Sequence, residues 1–119
     1  YVAGISMGGY GTWDLISRQP DRFAAALPIC GGGDVAQAPK LVKLPILAVH
    51  GSADVTVPVS RSRDMVRAIW NAGGSQIIYQ ELPEVGHGSW ETALRDTIKQ
   101  CGRGGFRSFG TKSPDGGFQ

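Results

Sequence analysis

The pentapeptide Gly4-Ile5-Ser6-Met7-Gly8 directly follows the short segment Tyr1-Val2-Ala3, which is typical of a strand. A serine between two such glycines, at the junction of a strand and a helix, is typical of a nucleophile elbow. In this sharp turn the serine has a strained backbone and an exposed side chain. Side chains at Gly4 and Gly8 are expected to clash within the turn. The motif therefore predicts a strand, a reactive serine and a helix in immediate succession.

Strand-like and helix-like patterns alternate along the rest of the chain. The run Ile46-Leu47-Ala48-Val49 is apolar throughout, which is typical of a parallel strand covered by helices on both faces. Ser89 can cap the last helix, and Trp13, Trp70 and Trp90 are assigned to the core. The predicted strands are a strand ending near Ile5, Phe23–Cys30, Pro45–His50 and Gln76–Leu82, and the predicted helices are Met7–Arg18, Val59–Ala72 and Ser89–Lys99. The pattern predicts an α/β fold with about four mostly parallel strands and helices on both faces.

Two histidines are candidates for the base that Ser6 requires. A serine hydroxyl is a poor nucleophile at neutral pH, so an imidazole must take its proton and a carboxylate must orient that imidazole. His87 lies in a glycine-flanked loop after a predicted strand, from which it can reach across the sheet edge. His50 ends an apolar strand only four residues before Asp54, and we expect its ring to bond to the backbone. His87 is therefore the predicted base.

Two loop aspartates are candidates for the acid. Asp54 precedes Val57-Pro58, where the proline can open the next helix. Asp34 follows the glycine run Gly31–Gly33 and is most simply a turn or helix-cap residue, but it remains the rival acid. With Asp54 as the acid, the order along the chain is serine, acid, histidine, which differs from the orders of the chymotrypsin and subtilisin folds and is that of the α/β-hydrolases.

Four motifs in this order resemble the dienelactone-hydrolase and carboxylesterase branch of the α/β-hydrolases, over about residues 1 to 98. The chain is most similar to predicted esterases or peptidases related to polyhydroxybutyrate depolymerases and feruloyl esterases. The resemblance implies a triad of Ser6, Asp54 and His87, an oxyanion-hole N–H from Met7, and a small-molecule or polymer-attached ester as substrate. Dienelactone hydrolases proper have cysteine at the elbow, so Ser6 indicates ordinary ester chemistry. The motifs are Gly4 to Trp13, Arg22 to Gly32, His50-Gly51 with Asp54 and Val57-Pro58, and Gly86-His87 with Ser89-Trp90.

The resemblance also implies strands before the elbow and a loop there that donates a second oxyanion N–H. Ser6 is the sixth residue, and 119 residues are fewer than the roughly 200 to 250 common for such enzymes. We therefore expect residues 1–99 to be the C-terminal half of a catalytic domain, with the missing N-terminal half as its partner. The Gly31–Gly33 run is interpreted as a flexible connection rather than the oxyanion loop. A catalytically incompetent remnant and a peptidase-type activity remain alternatives.

Composition argues against several other functions. A net charge of +2 gives no basis for binding nucleic acid or an acidic membrane surface. No apolar run approaches the roughly 18 residues of a membrane span. The two cysteines, Cys30 and Cys101, are too few for a disulfide framework. We expect Cys30 to be a small buried hydrophobic residue. With His50 and His87 the two cysteines lack the close spacing of zinc ligands, so we predict no metal or cofactor, and the compartment stays open.

The segment 100–119 departs from the pattern of the domain. From residue 102 onward it contains many glycines and no Leu, Ile, Val or Met. Such a segment offers too little apolar surface to offset the entropy of ordering it. We expect it to be disordered or not native to the fold. Its Arg-Gly-Gly-Phe-Arg stretch, residues 103–107, resembles nucleic-acid-binding tails only weakly, because it carries few charges.

Overall fold

The computed structural model describes residues 1–101, with side chains up to residue 95. Most of the tail predicted from residue 100 therefore lies outside the described residues, as does the Cys101 side chain. The strands are β1 (Val2–Ile5), β2 (Ala26–Ile29), β3 (Ile46–Gly51) and β4 (Ile77–Leu82). The helices are α1 (Met7–Arg18), α2 (Ser60–Asn71) and α3 (Ser89–Cys101), with 3-10 helices at Pro20–Arg22 and Val35–Leu41.

The four strands form one parallel sheet in the order β1-β2-β3-β4. Val2 pairs with Ala26, and Ile46 pairs with Ile77. The α/β fold with four parallel strands predicted from the alternation is thereby confirmed. Because all strands run the same way, the loops that follow them meet at a single edge of the sheet.

Alternating strand residues pack into two apolar layers, one on each face of the sheet. Helices α1 and α2 and the second 3-10 helix cover one face, and α3 covers the other, as predicted. Among residues 1–101, no helix is long and apolar enough to cross a membrane. The first layer includes Trp13, Ile16, Leu41, Ile46, Ala48, Met65, Val66, Ile69 and Tyr79, and the second includes Ile29, Leu47, Val49, Leu82 and Ala93.

The observed bounds differ most from the predicted ones at β2, and the two 3-10 helices were not predicted. Strand β2 begins at Ala26 rather than Phe23, since Ala26 is the first of its residues to pair with both neighbours, with Val2 of β1 and with Ile46 of β3. Asp34 caps the 3-10 helix Val35–Leu41 by accepting a hydrogen bond from the Ala36 amide. At both places the structure depends on contacts with other segments or on a cap: strand pairing at Ala26, and the Asp34 cap at the 3-10 helix.

The glycine run Gly31–Gly33, interpreted from the sequence as a flexible connection, is buried at its first two residues and exposed at Gly33. A Cβ at Gly31 would lie 2.5 Å from the Gly9 carbonyl carbon. The glycine thus lets the end of β2 approach the first turn of α1 closely.

Candidate active site

Ser6 occupies the sharp turn between β1 and α1. Its backbone has φ 57° and ψ −113°, a region that costs a non-glycine residue about 1–3 kcal/mol. The Ser6 amide donates to the Ile29 carbonyl at 2.9 Å, which ties the turn to the end of β2. A Cβ at Gly4 would lie 1.9 Å from the Gly8 carbonyl oxygen, whereas a Cβ at Gly8 would meet nothing within 4 Å. The expected clash is therefore correct for Gly4 and wrong for Gly8, which points into open space.

His87 lies in the loop between β4 and α3 and contacts both other predicted site residues. Its Nε2 is 2.8 Å from the Ser6 Oγ, and its Nδ1 is 2.8 Å from the Asp54 Oδ2. Trp90, in the first turn of α3, packs against the imidazole edge to face, with ring centroids 5.7 Å apart. The ring is therefore held by hydrogen bonds on two sides and by an aromatic contact.

Asp54 is buried and fully hydrogen-bonded. Besides His87 at Oδ2, its Oδ1 accepts the amides of Thr56 at 2.9 Å and Val57 at 2.8 Å. Burial alone would raise the pKa of this carboxyl, but the hydrogen bonds from His87, Val57 and Thr56 outweigh burial and lower the pKa below its usual value. Asp54 is therefore a carboxylate at neutral pH.

The charge of Asp54 determines which nitrogen of His87 carries the proton. A carboxylate can only accept hydrogen bonds, so the Nδ1 of His87 must donate to it. In the neutral ring, Nε2 is then an acceptor, and the Ser6 hydroxyl donates to it. This tautomer is the one in which an imidazole can take a proton from serine.

His50 approaches the same Asp54 oxygen, Oδ2, that contacts His87. Its Nε2 is 2.8 Å from the Val57 carbonyl oxygen and 3.3 Å from the Asp54 Oδ2. A carbonyl only accepts, so Nε2 carries a proton. Burial lowers the pKa of His50 more than the Val57 carbonyl and Asp54 raise it, so the ring is neutral and its Nδ1 accepts from the Ser62 hydroxyl at 2.7 Å. His50 bonds to the backbone as the sequence predicts, and its N–H also faces the acid.

Asp34, the rival acid, has different partners. It is exposed, and its carboxylate accepts from the Ala36 amide at 3.0 Å and the Gln37 side chain at 3.3 Å. These bonds define a helix cap. The structure thus places Asp54, and not Asp34, on the hydrogen bond to His87.

Met7 begins α1 immediately after Ser6. Backbone amides in the first turn of a helix have no acceptor within the helix, and the helix dipole places partial positive charge there. The Met7 side chain is 84% exposed, so this end of the helix is open. The Met7 amide is therefore one of the amides in the first turn of α1 that have no acceptor within the helix.

Sequence reasoning missed three neighbours of this site. Trp90, assigned only to the core, also supports the His87 ring. Ser89 is fully buried with no hydrogen bond of regular geometry among the described side chains, so it does not act as the predicted cap. Cys30 directly follows β2, and its sulfur lies within 4.8 Å of one ligand atom each of Asp54 and His87. The only sequence signal that could have placed Cys30 near the site was its position at the end of a predicted strand, and that strand lies next to β3.

Comparison with known proteins relates the chain to esterases. No protein-family profile matches the chain. Esterase LipC of Mycobacterium tuberculosis is 38% identical over 73 residues, which is 61% of this chain and 16% of that protein. A thermostable esterase of known structure is 39% identical with a TM-score of 0.78, covering 84% of this chain and 29% of its own. The chain thus spans less than a third of either relative.

More distant structures share the fold. The acylaminoacyl peptidase of Pyrococcus horikoshii is 20% identical with a TM-score of 0.69, covering 83% of this chain and 22% of its own. At this identity the likeness concerns the fold alone. The described residues have the architecture of the α/β-hydrolase fold, and the chain is similar to esterases within it.

Proposed function

We propose that this chain carries the catalytic triad of a serine hydrolase that cleaves carboxylic esters. Ser6 is the nucleophile, His87 the general base and acid, and Asp54 the carboxylate that orients His87. The observation that carries the proposal is the continuous pair of 2.8 Å contacts from the Ser6 Oγ to His87 and from His87 to the Asp54 Oδ2.

The first half of the reaction forms an acyl-enzyme. As the Ser6 Oγ attacks the ester carbonyl carbon, His87 Nε2 takes the hydroxyl proton and the carbonyl electron pair moves onto oxygen. The Met7 amide faces this oxyanion, a contact of the kind worth about 10² to 10³ in turnover. When the tetrahedral intermediate collapses, the ester C–O bond breaks and His87 returns the proton to the departing alkoxide.

The second half restores the enzyme. His87 takes a proton from water as the water oxygen attacks the acyl carbon, and Ser6 leaves with the proton that His87 returns. In both halves His87 becomes a cation, and the ionised Asp54 beside it offsets that charge. The low pKa of Asp54 supports this role, because the carboxyl must stay ionised while its neighbour is protonated.

The relatives with the higher sequence identity are named as esterases, which favours an ester rather than an amide as the substrate of this chain. LipC and the thermostable esterase are 38% and 39% identical to this chain, whereas the acylaminoacyl peptidase is 20% identical. Amide hydrolysis would use the same three residues, with His87 protonating a leaving nitrogen. A peptidase-type activity is therefore the second candidate, and it rests on a shared fold.

Turnover of p-nitrophenyl esters and of matched anilides tests the proposal. Ser6→Ala and His87→Ala should each lower kcat by about 10⁶, and the double variant should be little worse, because triad members act as a unit. Asp54→Asn should cost about 10⁴, since the amide no longer fixes the His87 tautomer. Asp34→Asn is the matched control and should retain full activity.

Labelling with a fluorophosphonate separates the alternatives. Covalent modification of Ser6, lost in Ser6→Ala, is expected. Full ester turnover in Ser6→Ala would refute the proposed nucleophile. A chain that neither turns over esters nor reacts with the probe would instead be a catalytically incompetent remnant.

A further inference from the structure

Cys30 is a fully buried thiol that the proposed mechanism does not use. It directly follows β2, next to the end of β3, and Asp54 lies in the loop after β3. One ligand atom each from Cys30, Asp54 and His87 lies within 4.8 Å of the other two. A sulfur, a carboxylate oxygen and an imidazole nitrogen therefore converge at one point beside the proposed triad.

These three donors suit a thiophilic divalent cation. Zinc bonds to thiolate at about 2.3 Å and to imidazole nitrogen or carboxylate oxygen at about 2.0–2.2 Å, in tetrahedral geometry. Donors around such an ion lie roughly 3.3–3.7 Å apart by that geometry. The Asp54 Oδ2 and the His87 Nδ1, now 2.8 Å apart, must therefore separate to admit an ion. Thiolate also selects against Mg²⁺ and Ca²⁺, which prefer oxygen ligands.

A second observation points to a ligand at the same place. Ser89 is fully buried, and its hydroxyl has no hydrogen bond of regular geometry among the described residues. Burial raises the pKa of the nearby Cys30 thiol, and the Ser6 backbone and the Ser89 hydroxyl offset part of that rise. An unsatisfied buried hydroxyl costs about 1–3 kcal/mol. A bound ion or its water would satisfy it.

We propose that Cys30, Asp54 and His87 form an inhibitory site for a thiophilic divalent cation such as Zn²⁺ or Cd²⁺. This inference rests on the proposed function. The Cys30 thiol loses its proton to solvent as the metal–sulfur bond forms. The ion replaces the proton on the Nδ1 of His87, and Nε2 becomes the protonated nitrogen.

Inhibition follows from the tautomer. With the metal on Nδ1 and a proton on Nε2, His87 has no lone pair with which to take the Ser6 proton. Asp54 is engaged by the ion at the same time. The enzyme should therefore lose kcat while its fold and its Ser6 side chain stay intact.

The test compares a parent protein that carries Cys101→Ser with the same protein that also carries Cys30→Ala. Cys30 is then the only thiol of the parent chain, and the Cys30→Ala chain has none. Ester hydrolysis is titrated with Zn²⁺, Cd²⁺ and, as a control, Mg²⁺, in a phosphine reductant that contains no thiol. Cd²⁺ binding is read independently from the ultraviolet charge-transfer band of a cadmium–thiolate bond. Cys30→Ala should keep its basal activity, because Cys30 does not touch the reacting atoms.

We expect Zn²⁺ and Cd²⁺, but not Mg²⁺, to inhibit the parent protein. Inhibition of Cys30→Ala should need a metal concentration at least about tenfold higher, because even the loss of a residue that only supports a metal ligand lowers metal affinity by about 10- to 100-fold. The charge-transfer band should appear in the parent and in its Ser6→Ala variant, and be absent from Cys30→Ala. Equal inhibition of both proteins, or no band in the parent, would overturn the site. A band without any ester turnover would retain the site and reject the proposed function.

Discussion

Gly4→Ala should separate β1 from α1 at the turn that holds Ser6. The added Cβ would lie 1.9 Å from the Gly8 carbonyl oxygen, 2.3 Å from its carbon and 2.6 Å from the Thr12 Oγ1. Two of these three atoms belong to the backbone, so no rotamer change relieves the clash. The strand and the helix must move apart.

The size of the movement follows from the distances. Ordinary contact begins at 3.4 Å, so a carbon placed at 1.9 Å requires a displacement of about 1.5 Å. The hydrogen bond from Ser6 to His87 is 2.8 Å long and is lost beyond about 3.5 Å, so half of that displacement breaks it. Misplacement by about 1 Å can cost about 10² in rate, and overpacking costs about 1–3 kcal/mol of stability.

Gly11→Ala is the matched control, since Gly11 lies in the same helix and a Cβ there meets nothing within 4 Å. It should keep full activity and gain up to about 1 kcal/mol from helix propensity. The assays are kcat/KM on a p-nitrophenyl ester and the free energy of unfolding in urea. A Gly4→Ala protein with parental kcat/KM and stability would show that the turn tolerates a side chain, and the argument from close approach would fail.

Further predictions concern pH and ion pairs. Burial lowers the pKa of His50 in the folded state, so its contribution to stability is present above about pH 6.5 and is lost as the pH falls below that value. Urea titrations across this range should show a smaller loss of unfolding free energy in His50→Gln, and an unchanged slope would contradict a buried neutral His50. Arg63 donates two hydrogen bonds to Glu81, at 2.7 Å and 2.8 Å, joining α2 to β4. Arg63→Ala should therefore cost about 1 kcal/mol, whereas Arg18→Ala, which breaks a pair with 74% and 62% exposed side chains, should change stability too little to measure. Equal effects of the two arginine variants would show that burial of the pair is unimportant.

The sequence alone was sufficient for the features that depend on local pattern. Alternating apolar strands and amphipathic helices predicted a parallel sheet with helices on both faces, and the structure has that sheet. The glycines around Ser6 predicted the strand–turn–helix junction, and Ser6 has the positive φ of such a turn. These signals lie within a few residues of each other, so no knowledge of distant contacts was needed.

The tertiary structure decided what depends on distant segments meeting. Sequence could not show that Gly8 faces open space, that Ser89 is fully buried, or that His50 and His87 approach the same oxygen of Asp54. Asp34 and Asp54 both follow strands, and the sequence favoured Asp54; the hydrogen bond between Asp54 and His87 depends on the folded loops. The reason is physical: the pairing order of β2 and β3 and the path of the loop before α3 set these distances, and both result from contacts between residues far apart in the chain.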